Sequence, residues 1–245
     1  MTTLQYDEIG EEYEGVKSLP LARYPERASV LGMLGDIRGR SVLDLACGTG
    51  FYARQLKRLG AADVLGVDIS GEMVAAARSI EERGPLGVRY EVCDVAELPS
   101  PERPFDAVTA VYLLNYAEDA AAMERMCRAA HRSLVPGGHF YALTQAPDFR
   151  FDGPPTDKYG FRYRPEGVNE NGPRMRITAL LDPPVEFVAG CPRHEVYERA
   201  LRAAGFGPVE WVPLTVPEEG EAALGKAFWK DFLDNPPLAM LRCRA

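Results

Sequence analysis

The sequence predicts an α/β protein built on a doubly wound, mostly parallel sheet. Three observations lead to this prediction. Short apolar runs alternate with amphipathic helical stretches through the first 145 residues, as they do when helices connect parallel strands. Two glycines, Gly48 and Gly50, follow the first apolar run and end it in a tight turn. Asp68 and Asp94 follow the second and third runs, at the sheet edge where such folds bind ligands.

The first strand, turn and helix form a predicted ligand site. Residues 42–46 are apolar except for Asp44, which predicts a buried parallel strand. From Phe51 onward the apolar residues follow a helical period, so the glycine turn leads into a helix N-terminus. Glycines let a ligand approach the backbone, and the free N–H groups of a helix start favour a carboxylate or phosphate.

The next two strands each end at a carboxylate. Residues 63–67 predict the second strand, and Asp68 follows it about 20 residues after the glycine turn, where doubly wound folds bind ribose hydroxyls. We therefore expect the ligand to carry a ribose. Ser70 is a suitable N-cap for the helix that follows. Residues 89–94 predict the third strand, which ends at Asp94.

The remaining elements follow the same alternation until residue 145. Apolar periods predict helices over residues 24–37, 119–134, 192–204 and 218–235, and strands over residues 105–111, 138–145, 209–216 and 238–243. Between residues 147 and 192 the helical period is absent. β-rich segments separated by prolines predict an antiparallel insertion there, with a hairpin near residues 181–185.

Asp44 precedes the two glycines in the motif Asp-x-Ala-x-Gly-x-Gly. This motif resembles that of class I methyltransferases, which use S-adenosylmethionine. Pro136-Gly137-Gly138, before the fifth strand, is also typical of that family. The resemblance covers roughly residues 40–144 and implies a Rossmann-like sheet of seven strands. We expect one methyltransferase domain over residues 1–245, with the antiparallel insertion after strand five.

The resemblance also implies which residues bind the cofactor. In the family, the glycine turn faces the amino-acid tail, the second acid binds the ribose and the third acid meets the adenine amino group. The residues just after the second acid flank the adenine, although here they also fit core packing. The residues expected to bind S-adenosylmethionine, and the product S-adenosylhomocysteine, are Tyr13, Asp44, Ala46, Gly48, Gly50, Asp68, Ile69, Met73, Asp94, Val95 and Tyr112.

The methyl acceptor is expected to lie among aromatic residues. The loop at residues 112–116 leaves the fourth strand at the ligand-binding edge, although aromatic packing is an alternative role for it. Segment 1–22 resembles the N-terminal lid of small-molecule methyltransferases, with a surface helix as the alternative. In resembling enzymes an insertion at the place of residues 147–192 forms a substrate lid or a dimer contact, and we expect a substrate lid here. The residues predicted to bind substrate are Tyr6, Asn115, Tyr116 and Tyr159.

No catalytic residue is assigned with this pattern. Methyl transfer from a sulfonium requires mainly that two reactants are positioned and water is excluded. His194, near a predicted helix start, is a weak candidate for a general base. The three histidines lack metal-ligand spacing, so we expect no metal.

Composition limits the partners. The net charge of −8 argues against binding a phosphate backbone. No apolar run approaches the roughly 20 residues that span a bilayer, and the polar start does not resemble a signal peptide. Five scattered cysteines fit reduced thiols. We therefore expect a cytoplasmic monomer or homodimer that acts on a small molecule, without nucleic-acid or membrane partners.

The predicted function is N- or O-methylation of a small, flat, heterocyclic or aromatic metabolite, as in secondary metabolism. The N-terminal segment and the late insertion resemble those of toxoflavin-type (azapteridine) N-methyltransferases. Two alternatives remain open. Gly48, Gly50 and Ala53 also satisfy Gly-x-Gly-x-x-Ala, as in NAD(P)-dependent oxidoreductases. The lack of a strong base also permits a non-catalytic subunit that binds S-adenosylmethionine.

Overall fold

The computed structural model describes residues 15–245, whose strands form two sheets. The strands of the larger sheet are β1 (Ser41–Leu45), β2 (Asp63–Asp68), β3 (Val88–Val92), β4 (Phe105–Val111), β5 (Leu134–Gln145), β9 (Glu210–Val212) and β10 (Leu238–Arg244). The strands of the smaller sheet are β6 (Phe161–Asn169), β7 (Gly172–Ala179) and β8 (Val185–Gly190).

The larger sheet confirms the predicted doubly wound topology. Its order is β3-β2-β1-β4-β5-β10-β9, and strands β1 to β5 pair in parallel. Strand β10 enters antiparallel to β5 and pairs with β9 on its other side. The chain reverses its direction of travel across the sheet between β1 and β4. Folds of this kind bind ligands at such a switch point, outside the carboxyl ends of the strands.

Helices cover both faces of this sheet. They are α1 (Arg27–Leu34), α2 (Phe51–Arg58), α3 (Gly71–Arg83), α4 (Ala120–Arg132), α5 (His194–Ala204), α6 (Glu218–Leu224) and α7 (Lys230–Asp234). The Ser70 hydroxyl accepts a hydrogen bond from Met73 N at 3.2 Å, which caps α3 as predicted. Helices α1 to α3 contribute to one hydrophobic cluster, and α4 and α5 contribute to the other. The sheet therefore separates two cores.

Several element boundaries differ from prediction. Strand β5 begins at Leu134 and not near residue 138, so Pro136-Gly137-Gly138 lies within the strand. Three other differences have local reasons. The helix predicted over residues 24–37 begins as a π-helical turn, Ala22–Glu26, because Pro25 lacks an N–H for regular helical bonding. The helix predicted over residues 218–235 is divided at Gly225, which has a φ of 86°. Strand β9 has only three residues and is followed closely by Pro213, which cannot donate a ladder hydrogen bond.

The insertion is the predicted antiparallel unit. Strand β7 pairs with β6 and β8 in antiparallel register, and β7 and β8 form a hairpin near residues 180–184. Met175, Ile177 and Ala179 alternate along β7 and are buried. They belong to the same hydrophobic cluster as helices α1 to α3. The small sheet therefore packs one face onto the body of the domain.

Candidate functional site

A cavity that opens to solvent, with about 580 Å³ of space counted to its open side, lies at the carboxyl edge of the larger sheet. Eight of the residues expected to bind cofactor line it: Ala46, Gly48, Asp68, Ile69, Met73, Asp94, Val95 and Tyr112. Val111, Leu113, Tyr116 and Met126 complete its wall. We call this space the first cavity. Most of its residues lie at or just after the ends of β1, β2, β3 and β4, so the switch point of the fold brings them together.

The glycine turn has the positive φ angles that a tight turn of this sequence requires. Gly48 and Gly50 have φ values of 53° and 79°, in the left-handed region that side chains disfavour. A Cβ on Gly50 would also collide with the ring of Tyr90. Asp68 fixes the turn in place, because its Oδ2 accepts a hydrogen bond from Gly48 N at 2.8 Å and its Oδ1 accepts one from Ser70 N at 2.9 Å. The position of Asp68 about 20 residues after the turn predicted a ribose contact but not this hydrogen bond to Gly48 N.

Two residues without the freedom of glycine also take positive φ at this edge. Ala46, after β1, has a φ of 55°, and Tyr112, after β4, has a φ of 62°. Such values are uncommon for non-glycine residues, and each costs on the order of 1–3 kcal/mol. Both residues line the first cavity. Strained backbone is therefore concentrated where the cavity wall is formed.

The other two acids differ sharply in environment. Asp44 is 1% exposed and lies behind the cavity wall, where the Thr109 hydroxyl donates to its Oδ1 at 2.7 Å. Its Oδ2 is buried without a hydrogen-bond partner in the described part of the chain, and burial raises the pKa of this carboxyl to about 7. Asp94 is exposed, lines the cavity and accepts from Ala96 N at 2.9 Å. Gly50 and Asp44, both expected to bind the cofactor, are not among the residues that line the first cavity.

A second cavity, also open to solvent and with about 420 Å³ of space counted to its open side, adjoins the first and shares Tyr112 and Tyr116 with it. The small sheet contributes the apolar side of its wall through Phe161, Ile177 and Phe187, with the ring of Tyr163 beside them. Its remaining lining comes from Val16, Lys17, Glu26 and Gln145. The second cavity is thus aromatic, with a few polar side chains.

A buried carboxylate organises the boundary between the two cavities. Glu26 is 1% exposed and accepts from Lys17 Nζ at 2.6 Å and from the Tyr52 hydroxyl at 2.7 Å. Its other oxygen accepts from the Tyr112 hydroxyl at 2.6 Å. Burial, with the charge of Glu26 adding to it, raises the pKa of the Tyr112 phenol well above its usual value. Tyr112 therefore stays protonated and forms a fixed wall. Neither Lys17 nor Glu26 lies in a local motif that sequence reasoning would recognise.

The predicted substrate residues fall in different places. Tyr116 lines both cavities. Asn115 is buried, and neither amide atom has a hydrogen-bond partner among residues 15–245. Tyr159 instead belongs to an aromatic cluster, stacked on Trp229 with 5.5 Å between ring centroids. Its hydroxyl donates to the Phe228 carbonyl at 2.8 Å and accepts from Phe232 N at 2.9 Å. The Tyr159 side chain therefore makes its contacts within the protein interior.

His194 lies in a third cavity, away from the lining of the first two. Its Nε2 is 2.9 Å from Asp148 Oδ2, and its ring meets the Trp211 ring edge-on at 4.3 Å between centroids. Tyr6 and Tyr13 lie outside the described residues. Among residues 15–245 there is no group of three or more side chains suited to a metal ion. Within the same residues, no helix has both the length and the apolar character to cross a bilayer.

Comparison with known proteins identifies relatives with the same core. A family described as a methyltransferase domain matches residues 42–138. A ubiquinone/menaquinone biosynthesis C-methyltransferase of Desulfotalea psychrophila is 31% identical over 190 residues, which cover 76% of this chain and 73% of that protein. A demethylmenaquinone methyltransferase of Thermus thermophilus is 37% identical over 127 residues, covering 51% of this chain and 53% of the relative. This chain thus spans about half the length of the Thermus protein.

A solved structure extends the likeness to nearly the whole chain. The S-adenosylmethionine-dependent methyltransferase from Mesorhizobium loti is 25% identical and superposes with a TM-score of 0.64. The match covers 94% of this chain and 100% of that one.

Proposed function

Because this chain belongs to the class I methyltransferases that use S-adenosylmethionine, we propose that the first cavity holds the cofactor and the second holds a small, flat, uncharged ring as the methyl acceptor. The donor set of the first cavity fits a ligand with an amino-acid tail, a sugar and a purine. Asp68 and Asp94 offer carboxylates for hydroxyl and amino groups, while Ile69, Met73 and Val95 offer an apolar wall.

The observation that supports this proposal most strongly is the shared wall of the two cavities. Methyl transfer is an in-line displacement, so the acceptor atom must lie next to the sulfonium carbon and opposite the departing sulfur. A ligand in the second cavity lies against Tyr112 and Tyr116, which also line the first. Aromatic faces at this boundary stabilise a cation by electrostatic attraction.

The polar groups of the second cavity favour an uncharged acceptor. Lys17 and Glu26 are its two charged lining residues in the described part of the chain, and they pair with each other at 2.6 Å. A charged ligand would therefore meet no uncompensated partner there. Neutral rings that stack on Tyr116, Phe161 or Phe187 gain contact without that cost.

The chemistry needs little from side chains beyond positioning. When bound, S-adenosylmethionine supplies the methyl electrophile and leaves as S-adenosylhomocysteine. The residues of the second cavity would hold the acceptor next to that methyl group and exclude water, and any proton on the acceptor atom would pass to solvent. Correct placement contributes about 7–11 kcal/mol to lowering the barrier. The protonated Tyr112 holds the boundary rather than removing a proton.

The acceptor atom is part of the proposal. We propose N- or O-methylation, although the aromatic lining bears only on the shape of the acceptor and fits any planar ring metabolite. The Desulfotalea relative is named a C-methyltransferase of ubiquinone/menaquinone biosynthesis. These features support a planar ring acceptor. We also propose that segment 147–192 closes over it; most of the predicted lid 1–22 lies outside the described residues. We further propose a cytoplasmic enzyme of secondary metabolism that acts as a monomer or homodimer without nucleic-acid partners.

Two measurements test this function. Crystals grown with S-adenosylhomocysteine should show the ribose at Asp68 and the purine between Ile69 and Val95. Incubation of the protein with methyl-labelled S-adenosylmethionine and fractions of a metabolite extract should yield a labelled, low-molecular-weight product, whose methyl resonance distinguishes attachment to nitrogen, oxygen or carbon. A thioether bound outside the first cavity, or label transferred only to macromolecules, would contradict the proposal.

A further inference from the structure

Gln145 is the last residue of β5, at the carboxyl edge of the large sheet. It lines the second cavity, and its side chain is almost completely buried, with the residue 3% exposed. Its Oε1 is buried without a hydrogen-bond partner in the part of the chain that the structure describes. Buried amides are normally hydrogen-bonded, so this one requires an explanation.

The neighbouring polar groups do not supply the missing partner. Glu26 accepts from Lys17, Tyr52 and Tyr112, and the Tyr112 hydroxyl is directed to that carboxylate. The other neighbours of Gln145 in the cavity are mainly aromatic and aliphatic. A glutamine in such a wall loses stability relative to a side chain of the same shape without polar atoms. Retaining it is reasonable if a ligand completes its hydrogen bonds.

We infer that Gln145 determines acceptor specificity by pairing with a ring that carries an N–H or O–H beside a carbonyl. The inference rests on the proposed function, because it assigns the second cavity to the acceptor. A side-chain amide carries an acceptor oxygen and two donor hydrogens, and rotation about its last bond turns either atom towards a ligand. A lactam or hydroxy-ketone edge offers the complementary donor and acceptor.

The rest of the cavity selects the same class of molecule. Phe161 and Phe187 bound the cavity with flat apolar surfaces that favour a planar ring. The Lys17–Glu26 pair leaves no net charge to hold an ionised acceptor. A neutral, planar ring compound with a lactam-like edge matches the flat walls of the cavity and its lack of net charge. The same edge can hydrogen-bond to the side-chain amide of Gln145.

A pair of bicyclic probes tests the pairing directly. Quinolin-2-one carries a lactam edge, and 1-methylquinolin-2-one keeps the ring and carbonyl but lacks the N–H. Binding is measured by calorimetry to protein saturated with S-adenosylhomocysteine. The native protein should bind quinolin-2-one about fivefold to tenfold more tightly than its methylated analogue, the effect of one buried hydrogen bond. In Gln145→Met that ratio should fall to about one.

Three further measurements keep the test decisive. Affinity for S-adenosylhomocysteine should be unchanged in Gln145→Met, which shows that the variant is folded. Gln145→Asn, which withdraws the amide by one methylene, should also lose discrimination, whereas Ile177→Val, a change in the same wall without polar atoms, should retain it. Equal binding of the probes to the native protein, no binding of quinolin-2-one, or discrimination retained in Gln145→Met would each overturn the inference. Failure of S-adenosylhomocysteine to bind would instead contradict the proposed function.

Discussion

The first cavity is lined by residues between Ala46 and Met126, most of them next to a strand end, whereas the lining of the second is drawn from Val16 through Phe187. In the first, the glycine turn, two acids and apolar side chains form the surface, and most of them lie at or just after strand ends, so the sheet fixes their positions. In the second, side chains from the N-terminal region, the end of β5 and the small sheet meet only in the folded protein. The cofactor cavity is thus tied to the topology, while the acceptor cavity can vary without altering it.

The polar groups of the two cavities differ in the same way. Asp68 in the first cavity binds backbone N–H groups of the turn and of α3, so a ligand-facing acid also braces the main chain. In the second cavity, the carboxylate of Glu26 accepts its hydrogen bonds from neighbouring side chains. One cavity therefore presents charge to its ligand, and the other neutralises charge internally. This contrast suits a polar, zwitterionic cofactor beside an uncharged acceptor.

The largest effect is expected from Asp68→Ala. It removes the carboxylate proposed to bind the ribose, and two hydrogen bonds to a charged group together account for at least a 100-fold loss of affinity by order of magnitude. Calorimetry with S-adenosylhomocysteine measures the loss. Asp63→Ala is the matched control, because Asp63 begins the same strand but pairs with exposed Arg89 at 2.9 Å. Unchanged affinity in a folded Asp68→Ala protein would contradict the assignment of Asp68 to the ribose. It would also contradict the view that the first cavity presents charge to its ligand.

A pH-dependent effect is expected from Asp44. Burial raises its pKa from 3.8 to about 7, so the folded state binds a proton more tightly than the unfolded state. Between about pH 4 and pH 7 the free energy of unfolding should therefore fall as pH rises, by an amount on the order of 3 kcal/mol, and should level off above that range.

Urea unfolding of the ligand-free protein across that pH range measures the effect of Asp44. Asp44→Asn keeps an oxygen for the Thr109 hydroxyl but cannot titrate, so it should flatten the slope. A native slope that persists unchanged in Asp44→Asn would show that another group causes it. Because this acid lies behind the wall of the first cavity, the experiment separates its effect on folding from direct ligand contact.

The uneven success of sequence-based prediction follows from the same contrast. The parallel strands, the glycine turn and the acid after β2 have local patterns, and they were predicted close to their observed positions. The Glu26 network was missed because Lys17, Tyr52 and Tyr112 approach it from separate segments. No spacing rule connects such residues. Gln145 was likewise not predicted as a site residue, because a polar residue at the end of a strand carries no motif of its own.

A smaller effect is expected from Tyr159→Phe, which tests where the acceptor cavity ends. The change removes a hydroxyl that bonds the Phe228 carbonyl and Phe232 N, and it should lower the free energy of unfolding by about 1–2 kcal/mol. The KM for the acceptor found in the extract assay should stay within twofold. Tyr116→Leu, which changes a residue lining both cavities, is the comparison and should raise that KM. A raised KM in Tyr159→Phe with unchanged stability would extend the second cavity to Tyr159.

The smallest effect is expected from His194→Ala. His194 is absent from the lining of both cavities, and its partner Asp148 has an 87% exposed side chain. The exposed contact with Asp148 contributes about 0–1 kcal/mol to stability and the ring contact with Trp211 about 0.5–1.5 kcal/mol, so the effect on unfolding should be modest and the effect on methyl transfer negligible. Methyl transfer at several pH values should give kcat and KM within twofold of the native protein, with the same pH profile. If His194 instead acts as a base oriented by Asp148, then His194→Ala and Asp148→Asn should both lower kcat at least tenfold and shift the profile. The acceptor would then have to reach the third cavity, and the division of this edge into a cofactor cavity and an adjoining acceptor cavity would no longer hold.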